Sequence, residues 1–456
     1  MSQKHDPKFH KFIKKLITTQ KTDALSGLLN NLDAVEIANA LIQLKLKHQT
    51  RVLEVLDSEK ASEVLTFLHN SPLLHSIAEN MKPQQLSDIV GEMDKDDAAD
   101  FVSILQEEKA DAVLSKLSLK DQQEITTLLQ YNEESAGGIM DPHVVTVTKD
   151  MNVALAVSVI RKFTSDNDVE QFYTIYVVDA HHHLIGTVEA TTLLLASPTD
   201  IIEKIMSPDV VAVDVDLDQE EVARTAREYD LVVVPVIDRH LRLIGRITID
   251  DLVDVISEEY QEDIAMITGT GDEGVMETSL IKTIRDRLPW LLLAMLGGGL
   301  AALVMNYYEA SIIDLPKVAY FVPLIAAMGG NIGIQSSSIV VRGLATGEIR
   351  ATDLFGRLWR ELKLGFLNGF ICAICLLLLS WYMSGSLDFG VASGVSLLIV
   401  VVMAAAIGST VPMILKRFNI DPALATGPFI TTANDVLGVA IYLIIAFKIN
   451  EMSIFG

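Results

Sequence analysis

The C-terminal part of the chain is a series of long apolar segments, and this feature limits the fold more than any other. From Pro289 onward, apolar runs alternate with short polar breaks. Each run reaches about 20 residues, the length that a helix needs to cross the ~30 Å hydrocarbon layer of a bilayer. Core helices of a soluble protein are the alternative, but such runs leave no polar face for water. We therefore expect five membrane spans, numbered one to five in chain order, at residues 290–308, 318–341, 364–383, 391–415 and 424–447.

Charge is divided unevenly along the chain. Residues 1–280 contain 24 Lys and Arg against 50 Asp and Glu, a net charge of −26, whereas residues 281–456 carry +2. The acidic part would repel phosphate, which excludes nucleic acid as a partner. Cys372 and Cys375 lie in one apolar run, so we expect no disulfide scaffold and a packing role rather than metal binding. The basic start, KHDPKFHKFIKKL, lacks the apolar core of a signal peptide.

Lysine and arginine in the short loops predict how the spans are oriented, because cytoplasmic loops carry an excess of these residues. Three basic segments lie before span one, between spans two and three, and between spans four and five. They contain Lys282, Arg285, Arg287, Arg342, Arg350, Arg357, Arg360, Lys363, Lys416 and Arg417. The opposite loops hold only Lys317 and, near the end, Lys448. We expect residues 1–280 in the cytoplasm and the C-terminus outside.

Span two is unusually polar for a membrane helix. It contains GGNIGIQSSS, residues 329–338, which places glycines, amides and hydroxyls at mid-membrane depth. One interpretation is a helix-packing face, because glycines allow close approach and polar side chains need partners. The other is the polar wall of a conduit with locally unwound backbone, which is tolerated only beside protein or water.

Span five contains Asp435, the only acidic residue well inside that run. A carboxylate in hydrocarbon costs a few kcal/mol, so it should face water, a cation or a partner. No Lys or Arg lies inside span two or five, which leaves a mobile cation as the expected counter-charge. A protonated carboxyl packed between helices is the alternative. Thr431, Thr432 and Asn434 add oxygen acceptors nearby.

The chemistry of these ligands narrows the choice of ion. Oxygen donors without His or Cys favour Mg²⁺, Ca²⁺, Mn²⁺ or an alkali ion over copper or zinc. One carboxylate per chain suits Mg²⁺, which gives up its waters reluctantly and can be held through them. A symmetric dimer would bring two Asp435 carboxylates to one axis.

Two different repeats organise the acidic part. Residues of about 10–130 are helical in pattern, and apolar positions recur every 12 residues at Met81, Met93, Leu105, Leu117 and Leu129. Twelve residues suit a short helix plus a turn, which predicts a stacked superhelical array. Within it, DKDDAAD (residues 94–100) places Asp94, Asp97 and Asp100 near one edge, and a solvated face with capping residues is one interpretation of this run.

The second repeat begins near Gly137. IMDPHVVTV (residues 139–147) returns as IMSPDVVAV (205–213), and YVVDAHHHLIGTV returns as PVIDRHLRLIGRI. Each copy combines β-branched runs, a helical stretch and two strands joined by a turn before Gly186 or Gly245, which predicts a small α/β unit used twice. Histidines 181–183 fall in the first turn, where a solvated hairpin tip is favoured over a zinc site.

An acidic helix follows the second copy. The segment IDDLVDVISEEYQEDIAMITG contains Asp250, Asp251, Asp254, Glu258, Glu259, Glu262 and Asp263 and no basic residue. Like charges four residues apart destabilise a helix. Divalent cations would remove this repulsion, while a soluble linker is the alternative interpretation.

The order of these parts resembles the MgtE family of magnesium channels over essentially the whole chain, most specifically at GGNIGIQSSS and at DPALATGPFITTAND in span five. The resemblance implies a multi-domain membrane protein. We expect an all-α acidic superhelical N-domain at 1–133, a tandem pair of α/β CBS (cystathionine-β-synthase-like) domains at 137–258 (137–200 and 201–258), a connecting plug helix at 259–288, and a five-helix transmembrane domain at 289–450.

The resemblance also implies a homodimer in the bacterial inner membrane, with a pore lined by spans two and five. There Asp435 would hold hydrated Mg²⁺, with backbone around Gly329, Gly330 and Thr431 contributing. Cytosolic Mg²⁺ sensing is implied at Asp94, Asp97, Glu220, Asp230, Asp251, Glu259, Glu262, Asp263 and Asp421. CBS domains often bind adenine nucleotides, and the second copy retains the matching Gly245, Thr248 and Asp251 for ATP, whereas the first has Glu189 in place of the Thr.

The expected function is Mg²⁺ influx down its gradient, shut when Mg²⁺ bridges the acidic domains and the helix at residues 276–287 blocks the mouth. Two alternatives stay open: an exchanger that uses Asp435 as a proton or sodium relay, and a membrane-tethered nucleotide sensor whose spans only anchor it. No catalytic constellation is visible, and no protein partner beyond a second copy is inferred.

Overall fold

The computed structural model describes residues 13, 15–17, 22–69, 71–167, 172–268, 280–418 and 420–452. The chain divides into two compact units, residues 1–256 and 257–456. The first unit contains a helical array followed by two small α/β modules, and the second contains the long apolar helices. This is the fold class that the sequence predicts.

The helical array follows the 12-residue repeat and begins well before Met81. Most of its helices start 11 to 14 residues after the preceding one, and their inward residues, such as Ile37, Val64 and Leu86, are fully buried. Each repeat buries its apolar face only against its neighbours, so the array has one continuous core. The helices are α1 (Thr22–Leu29), α2 (Ala34–Ile42), α3 (Leu46–Leu53), α4 (Ser58–Thr66), α5 (Pro72–Asn80), α6 (Pro83–Val90), α7 (Lys95–Ser103), α8 (Glu107–Leu114) and α9 (Leu119–Leu128).

The two α/β modules have the same three-stranded sheet, with one parallel and one antiparallel pair. The first contains β1 (Thr146–Thr148), α10 (Val153–Asn167), β2 (Thr174–Val178), β3 (Leu184–Glu189), α11 (Ala190–Leu195) and α12 (Ile202–Ile205). The second contains β4 (Val213–Asp214), α13 (Gln219–Glu228), β5 (Val233–Ile237) and β6 (Leu243–Thr248). The parallel pair, β1 with β2 and β4 with β5, is bridged in each module by a crossover helix.

The modules exchange their leading segments. Asp141 pairs with Arg246 on β6 of the second module, and Ser207 pairs with Thr187 on β3 of the first. Gly245 allows a close approach here, because an added Cβ would lie 2.6 Å from Met140 Sδ. This exchange joins the two modules into one body, which a reading of each copy by itself would not reveal.

The acidic helix α14 (Ile249–Thr268) leads out of β6. The second unit then contains α15 (Leu280–Tyr307), α16 (Glu309–Asp314), α17 (Val322–Ala345), α18 (Leu354–Ser384), α19 (Leu387–Arg417) and α20 (Pro428–Met452). Short 3₁₀ helices precede three of them, at Pro316–Phe321, Ala351–Asp353 and Pro422–Ala425.

Five helical segments of the described chain are long and apolar enough to cross a membrane. They are Thr283–Tyr307, Pro316–Ala345, Leu354–Ser384, Leu387–Arg417 and Pro422–Ile449, which confirms the predicted number. They extend beyond the predicted spans, mainly because polar flanks such as residues 354–363 continue the same helix. Helix α19 is the most enclosed, with Val400, Val401 and Ala404 fully buried. Residues 269–279, part of the predicted plug helix, lie outside the described residues.

Candidate functional sites

Helices α17 and α20 approach each other through glycines, at the positions where the sequence predicts a pore. Gly329, Gly330 and Gly333 are buried on α17. A Cβ added at Gly333 would lie 2.2 Å from Asn434 Nδ2, and one at Gly330 would lie 3.5 Å from Thr431 Cγ2. At Gly333 the two helices therefore pack closer than a larger side chain would permit, whereas a Cβ at Gly330 would make an ordinary van der Waals contact.

Asn434 joins the two helices directly. Its side chain is fully buried and its Nδ2 donates a hydrogen bond to the Gly329 carbonyl at 3.2 Å. Its Oδ1 is buried and has no hydrogen-bond partner among the described residues. A buried amide oxygen of this kind needs a partner, and water or a hydrated ion would supply one.

The expectation of locally unwound backbone in span two is wrong. Helix α17 is continuous from Val322 to Ala345 across the whole GGNIGIQSSS segment. Glycines on α17 and on its neighbour α19 allow close packing. For example, a Cβ added at Gly408 of α19 would lie 2.4 Å from the carbonyl oxygen of Gly333 on α17. The helix-packing interpretation accounts for this face, because an α-helix satisfies its own backbone groups and has no need to unwind.

Asp435 follows Asn434 and is half-buried. Among the described residues it forms no ion pair, as the sequence predicts. Thr431 lies one turn earlier on α20 and donates its hydroxyl to the Gly427 carbonyl at 2.9 Å, which leaves its oxygen lone pairs available as acceptors. The structure thus brings the predicted Gly329, Gly330 and Thr431 together on facing helices, with Asp435 on the same helix as Thr431.

A second polar face of α17 points away from this packing. Asn331 and Gln335 are exposed in the single chain and lie four residues apart, one above the other. Exposed amides at membrane depth are costly against lipid, so this face requires water or another protein surface.

Sequence reasoning missed a buried polar network between α17 and α18. Glu361 is 5 % exposed and forms an ion pair with Arg357, Nη2 to Oε1 at 2.8 Å. Its Oε2 accepts a hydrogen bond from Ser336 Oγ at 3.2 Å. The sequence contains a pattern that could have indicated this burial. Glu361 stands four residues before Gly365, and the same spacing continues through Gly369 and Ala373, all of which are buried on one face of α18.

The first unit contains a cluster of aspartates, here called the acidic cluster. Asp94, Asp96 and Asp97 come from the first turn of α7, and Asp250, Asp251 and Asp254 from the first turns of α14; Asp141 completes the set. The predicted Asp94, Asp97 and Asp251 therefore come together, whereas Asp96, Asp141, Asp250 and Asp254 were not predicted as sensing residues.

The acidic cluster is electrostatically unfavourable without a cation. Burial raises the pKa of Asp97 to about 6, opposed by a hydrogen bond from Thr66 and reinforced by Asp94, Asp250 and Asp254. Burial also raises the pKa of Asp251 to about 7. The pKa of Asp96 is raised well above its usual range by burial and then by the charge of Asp251. Carboxylates held this close favour protons or divalent cations.

Basic groups also enter this region. Arg246 binds Asp141 through two contacts of 3.0 and 3.1 Å to Oδ2, and both side chains are nearly buried. His143 lies between Asp141 and Glu124 of α9, with nitrogen–oxygen distances of 3.6 and 3.5 Å. The helical array and the second α/β module therefore meet through charged groups.

The remaining predicted sensing residues lie elsewhere. Glu220 and Asp230 lie at opposite ends of α13, and Asp230 has a φ of +53°. Glu259, Glu262 and Asp263 lie along α14. The end of α14 contacts the residues just before α20, because a Cβ added at Gly427 would lie 2.7 Å from the Ile267 carbonyl oxygen. Asp421 is exposed and caps a 3₁₀ helix by accepting the Ala423 amide at 2.8 Å.

No group of three or more His, Cys, Asp or Glu side chains in the described parts of the chain is arranged to hold a metal ion. The histidine turn agrees with a hairpin tip, because His183 Nδ1 lies 2.9 Å from Asp179 Oδ2 within the same turn. The carboxylates of the acidic cluster are included in this statement.

The predicted nucleotide residues have structural roles in this chain. Thr248 and Asp251 cap α14, since Asp251 Oδ2 accepts hydrogen bonds from the Thr248 amide at 3.1 Å and from its hydroxyl at 2.5 Å. Gly245 provides room for Met140. Neither role excludes a ligand beside them.

Comparisons with known proteins cover both units. Residues 322–445 match the family described as MgtE, divalent cation transporter; residues 32–134 match the MgtE intracellular N domain, and residues 202–258 match the CBS domain. The magnesium transporter MgtE of Thermus thermophilus is 33 % identical, over 94 % of this chain and 96 % of that protein. The magnesium transporter MgtE of Enterococcus faecalis is 36 % identical over 71 % of each chain.

One solved structure is informative for the first unit. The cytosolic domain of the Mg²⁺ channel MgtE in complex with ATP is 32 % identical, with a TM-score of 0.51, and it covers 54 % of this chain and 100 % of that one.

Proposed function

Because the chain belongs to the MgtE family of divalent cation transporters, we propose that it forms a channel through which Mg²⁺ enters the cytoplasm. The membership confirms the resemblance inferred from the span-two and span-five motifs. The observation that carries the proposal is Asp435: a half-buried carboxylate on a membrane helix, without an ionic partner among the described residues. Such a group needs a counter-charge, and a passing cation provides it.

The ion is Mg²⁺, held through its water shell. The side chains of Asp435 and Thr431 offer oxygen donors only, and one carboxylate cannot replace a complete hydration shell. The relatives named magnesium transporters support the same ion.

The channel is a homodimer in the bacterial inner membrane, with residues 1–280 in the cytoplasm and the C-terminus outside. A two-fold axis would pair two Asp435 carboxylates and would cover the exposed amides of Asn331 and Gln335. The basic loops between spans two and three and between spans four and five support this orientation.

Cytosolic Mg²⁺ shuts the channel by binding the acidic cluster. When Mg²⁺ is scarce, the cluster and the net charge of −26 in residues 1–280 favour separation of the acidic domains. When Mg²⁺ is abundant, it neutralises Asp94, Asp97 and Asp251 and favours the closed arrangement. This is a two-state equilibrium biased by a ligand that prefers one state. Glu220, Asp230, Glu259, Glu262, Asp263 and Asp421 contribute further binding oxygens.

The second α/β module binds ATP as a regulatory ligand beside Gly245, Thr248 and Asp251. The similar cytosolic domain solved in complex with ATP supports this assignment.

Transport is tested with the purified chain in lipid vesicles. We expect Mg²⁺ uptake by the wild type and its loss in Asp435→Asn, while Asp353→Asn, an exposed aspartate of the same unit, keeps wild-type uptake. Unchanged uptake in Asp435→Asn would remove the pore role of this residue. Recording current with Mg²⁺ as the only permeant cation separates a channel from an exchanger, because an exchanger needs a counter-ion.

Gating is tested in membrane patches with Mg²⁺ varied on the cytoplasmic side. We expect the wild type to close in the millimolar range, and the triple variant Asp94→Asn/Asp97→Asn/Asp251→Asn to stay open at concentrations at least several-fold higher. An identical closing concentration in both proteins would refute the sensing role of the acidic cluster.

A further inference from the structure

The ion pair between Arg357 and Glu361 is placed where it can control the pore helix. Glu361 is enclosed between α17 and α18 and carries two interactions, one with Arg357 on its own helix and one with Ser336 on α17. Among the described residues, the hydrogen bond from Ser336 to Glu361 joins the side chains of α17 and α18.

Stability alone does not explain why a buried ion pair is present. Moving two charges out of water costs free energy that their attraction often only balances, and a well-packed apolar pair is frequently at least as stable. Where a buried ion pair is retained, one attested role is to select a single packing arrangement. The Arg357–Glu361 pair is such a buried ion pair, and its hydrogen bond to Ser336 joins α18 to α17.

Close packing of α18 on α19 restricts the position of Glu361. The buried face of α18 lies against α19: a Cβ added at Gly365 would lie 3.0 Å from Ala405 Cβ, and one at Gly369 would lie 3.1 Å from Val401 Cγ1. Because α19 is the most enclosed helix of the unit, α18 has little freedom to slide. Arg357, one turn before Glu361, then holds the carboxylate in one orientation.

Helix α17 is thereby held at two points along its axis by two different helices, α18 and α20. Ser336 is held by Glu361, and two turns earlier the Gly329 carbonyl is held by Asn434 of α20. Two such points determine both the rotation of a helix and its position along its axis. Gln335 immediately precedes Ser336, so the same contacts determine where the exposed amides of Gln335 and Asn331 point.

We infer that Glu361, held by Arg357, is a positioning residue that fixes α17 through Ser336 and thereby sets the width of the ion path beside Asp435. The inference rests on the proposed transport function. It assigns to this buried network the discrimination between Mg²⁺ and Ca²⁺, which differ in ionic radius and in how tightly they hold their water shells.

The test compares Mg²⁺ and Ca²⁺ uptake by the full chain in vesicles. Ser336→Ala removes the link and leaves the Arg357–Glu361 pair intact. We expect the Mg²⁺-to-Ca²⁺ uptake ratio to fall about threefold to tenfold, the range that the loss of one hydrogen bond corresponds to. A purely structural role would reduce both fluxes by the same factor and leave the ratio unchanged.

Ser337→Ala is the matched control. Ser337 is the next residue, it is fully buried, and its hydroxyl has no hydrogen-bond partner among the described residues. We expect this variant to keep the wild-type ratio. An equal shift in Ser336→Ala and Ser337→Ala would overturn the inference, because the effect would then be one of packing.

A pair of double variants gives a second measurement that does not depend on Ser336→Ala folding. Arg357→Gln/Glu361→Gln leaves no unpaired charge and retains an oxygen that can accept the Ser336 hydroxyl, so the ratio should stay near that of the wild type. Arg357→Leu/Glu361→Leu also leaves no charge but removes the acceptor, so the ratio should fall.

The two proposals fail in different ways. If the wild type shows no Mg²⁺ uptake that depends on Asp435, the transport function itself is refuted. If the wild type transports Mg²⁺ and both Ser336→Ala and the double leucine variant keep its ion ratio, only the positioning role of Glu361 is refuted.

Discussion

At the scale of single residues, the acidic cluster places carboxyl groups where their ionisation costs stability. The pKa of Asp97 is raised to about 6, mainly by burial, and that of Asp251 to about 7. Since both values exceed those of an unfolded chain, the folded state binds more protons than the unfolded state in this window. The free energy of unfolding therefore falls as pH rises from about 4 to about 7.

The variant Asp97→Asn tests whether the free energy of unfolding falls with rising pH for this reason. Without divalent cations it should raise the free energy of unfolding at pH 8 by about 1 to 3 kcal/mol and change little at pH 4, because the amide never ionises. Urea unfolding followed by circular dichroism, with a chelator present, measures the effect. Asp111→Asn, an exposed aspartate on α8, should show neither change. An equal stability of Asp97→Asn and the wild type at pH 8 would contradict the argument.

At the scale of elements, packing of α17 against α20 depends on glycine at one position. A Cβ added at Gly333 would lie 2.2 Å from Asn434 Nδ2 and 2.5 Å from Ile430 Cγ2. Gly333→Ala should therefore destabilise the membrane unit by about 1 to 3 kcal/mol, the usual cost of overpacking, and should reduce transport. The measurement is the thermal midpoint of the detergent-solubilised chain.

Gly298→Ala is the control at the same scale. Gly298 also lies inside a long helix, α15, but an added Cβ would meet nothing within 4 Å. Because alanine favours helix over glycine, this variant should be neutral or slightly stabilising. If both variants lowered the midpoint equally, close approach at Gly333 would not be the cause.

At the scale of the whole molecule, the charge of residues 1–280 predicts compaction by divalent cations. Millimolar Mg²⁺ should protect residues 1–280 from protease, whereas NaCl at the same ionic strength should protect them much less. The reason is that a divalent ion bridges carboxylates, while monovalent salt only screens them. Equal protection by the two salts would indicate simple screening and would remove the bridging role of Mg²⁺.

Orientation of the whole molecule is tested by labelling cysteines. In a chain whose Cys372 and Cys375 are replaced by alanine, a cysteine at Ser386 should react with an impermeant maleimide added outside the cell. A cysteine at Arg350 should react only after the membrane is opened. The reverse pattern would contradict the orientation predicted from the basic loops.

Some of the unforeseen contacts left a trace in the sequence. In the repeated segments, Asp141 and Arg246 stand where the other copy has Ser207 and Thr187, and the structure pairs Asp141 with Arg246 and Ser207 with Thr187. Both members of one pair changed character together, which could have indicated their contact. Glu361 lies just before the predicted start of span three at residue 364, although its spacing from Gly365 and Gly369 places it on the buried face of α18.

The sequence alone determined the number of membrane helices, the 12-residue helical array and the doubled α/β module. These follow from hydrophobic periodicity and internal repetition, which are local properties of the chain. The tertiary structure alone decided three further features: α17 stays helical through its glycines, seven aspartates from distant segments share one cluster, and Glu361 reaches Ser336. Each depends on which faces meet, and the free energy of that choice comes from contacts between residues far apart in the chain.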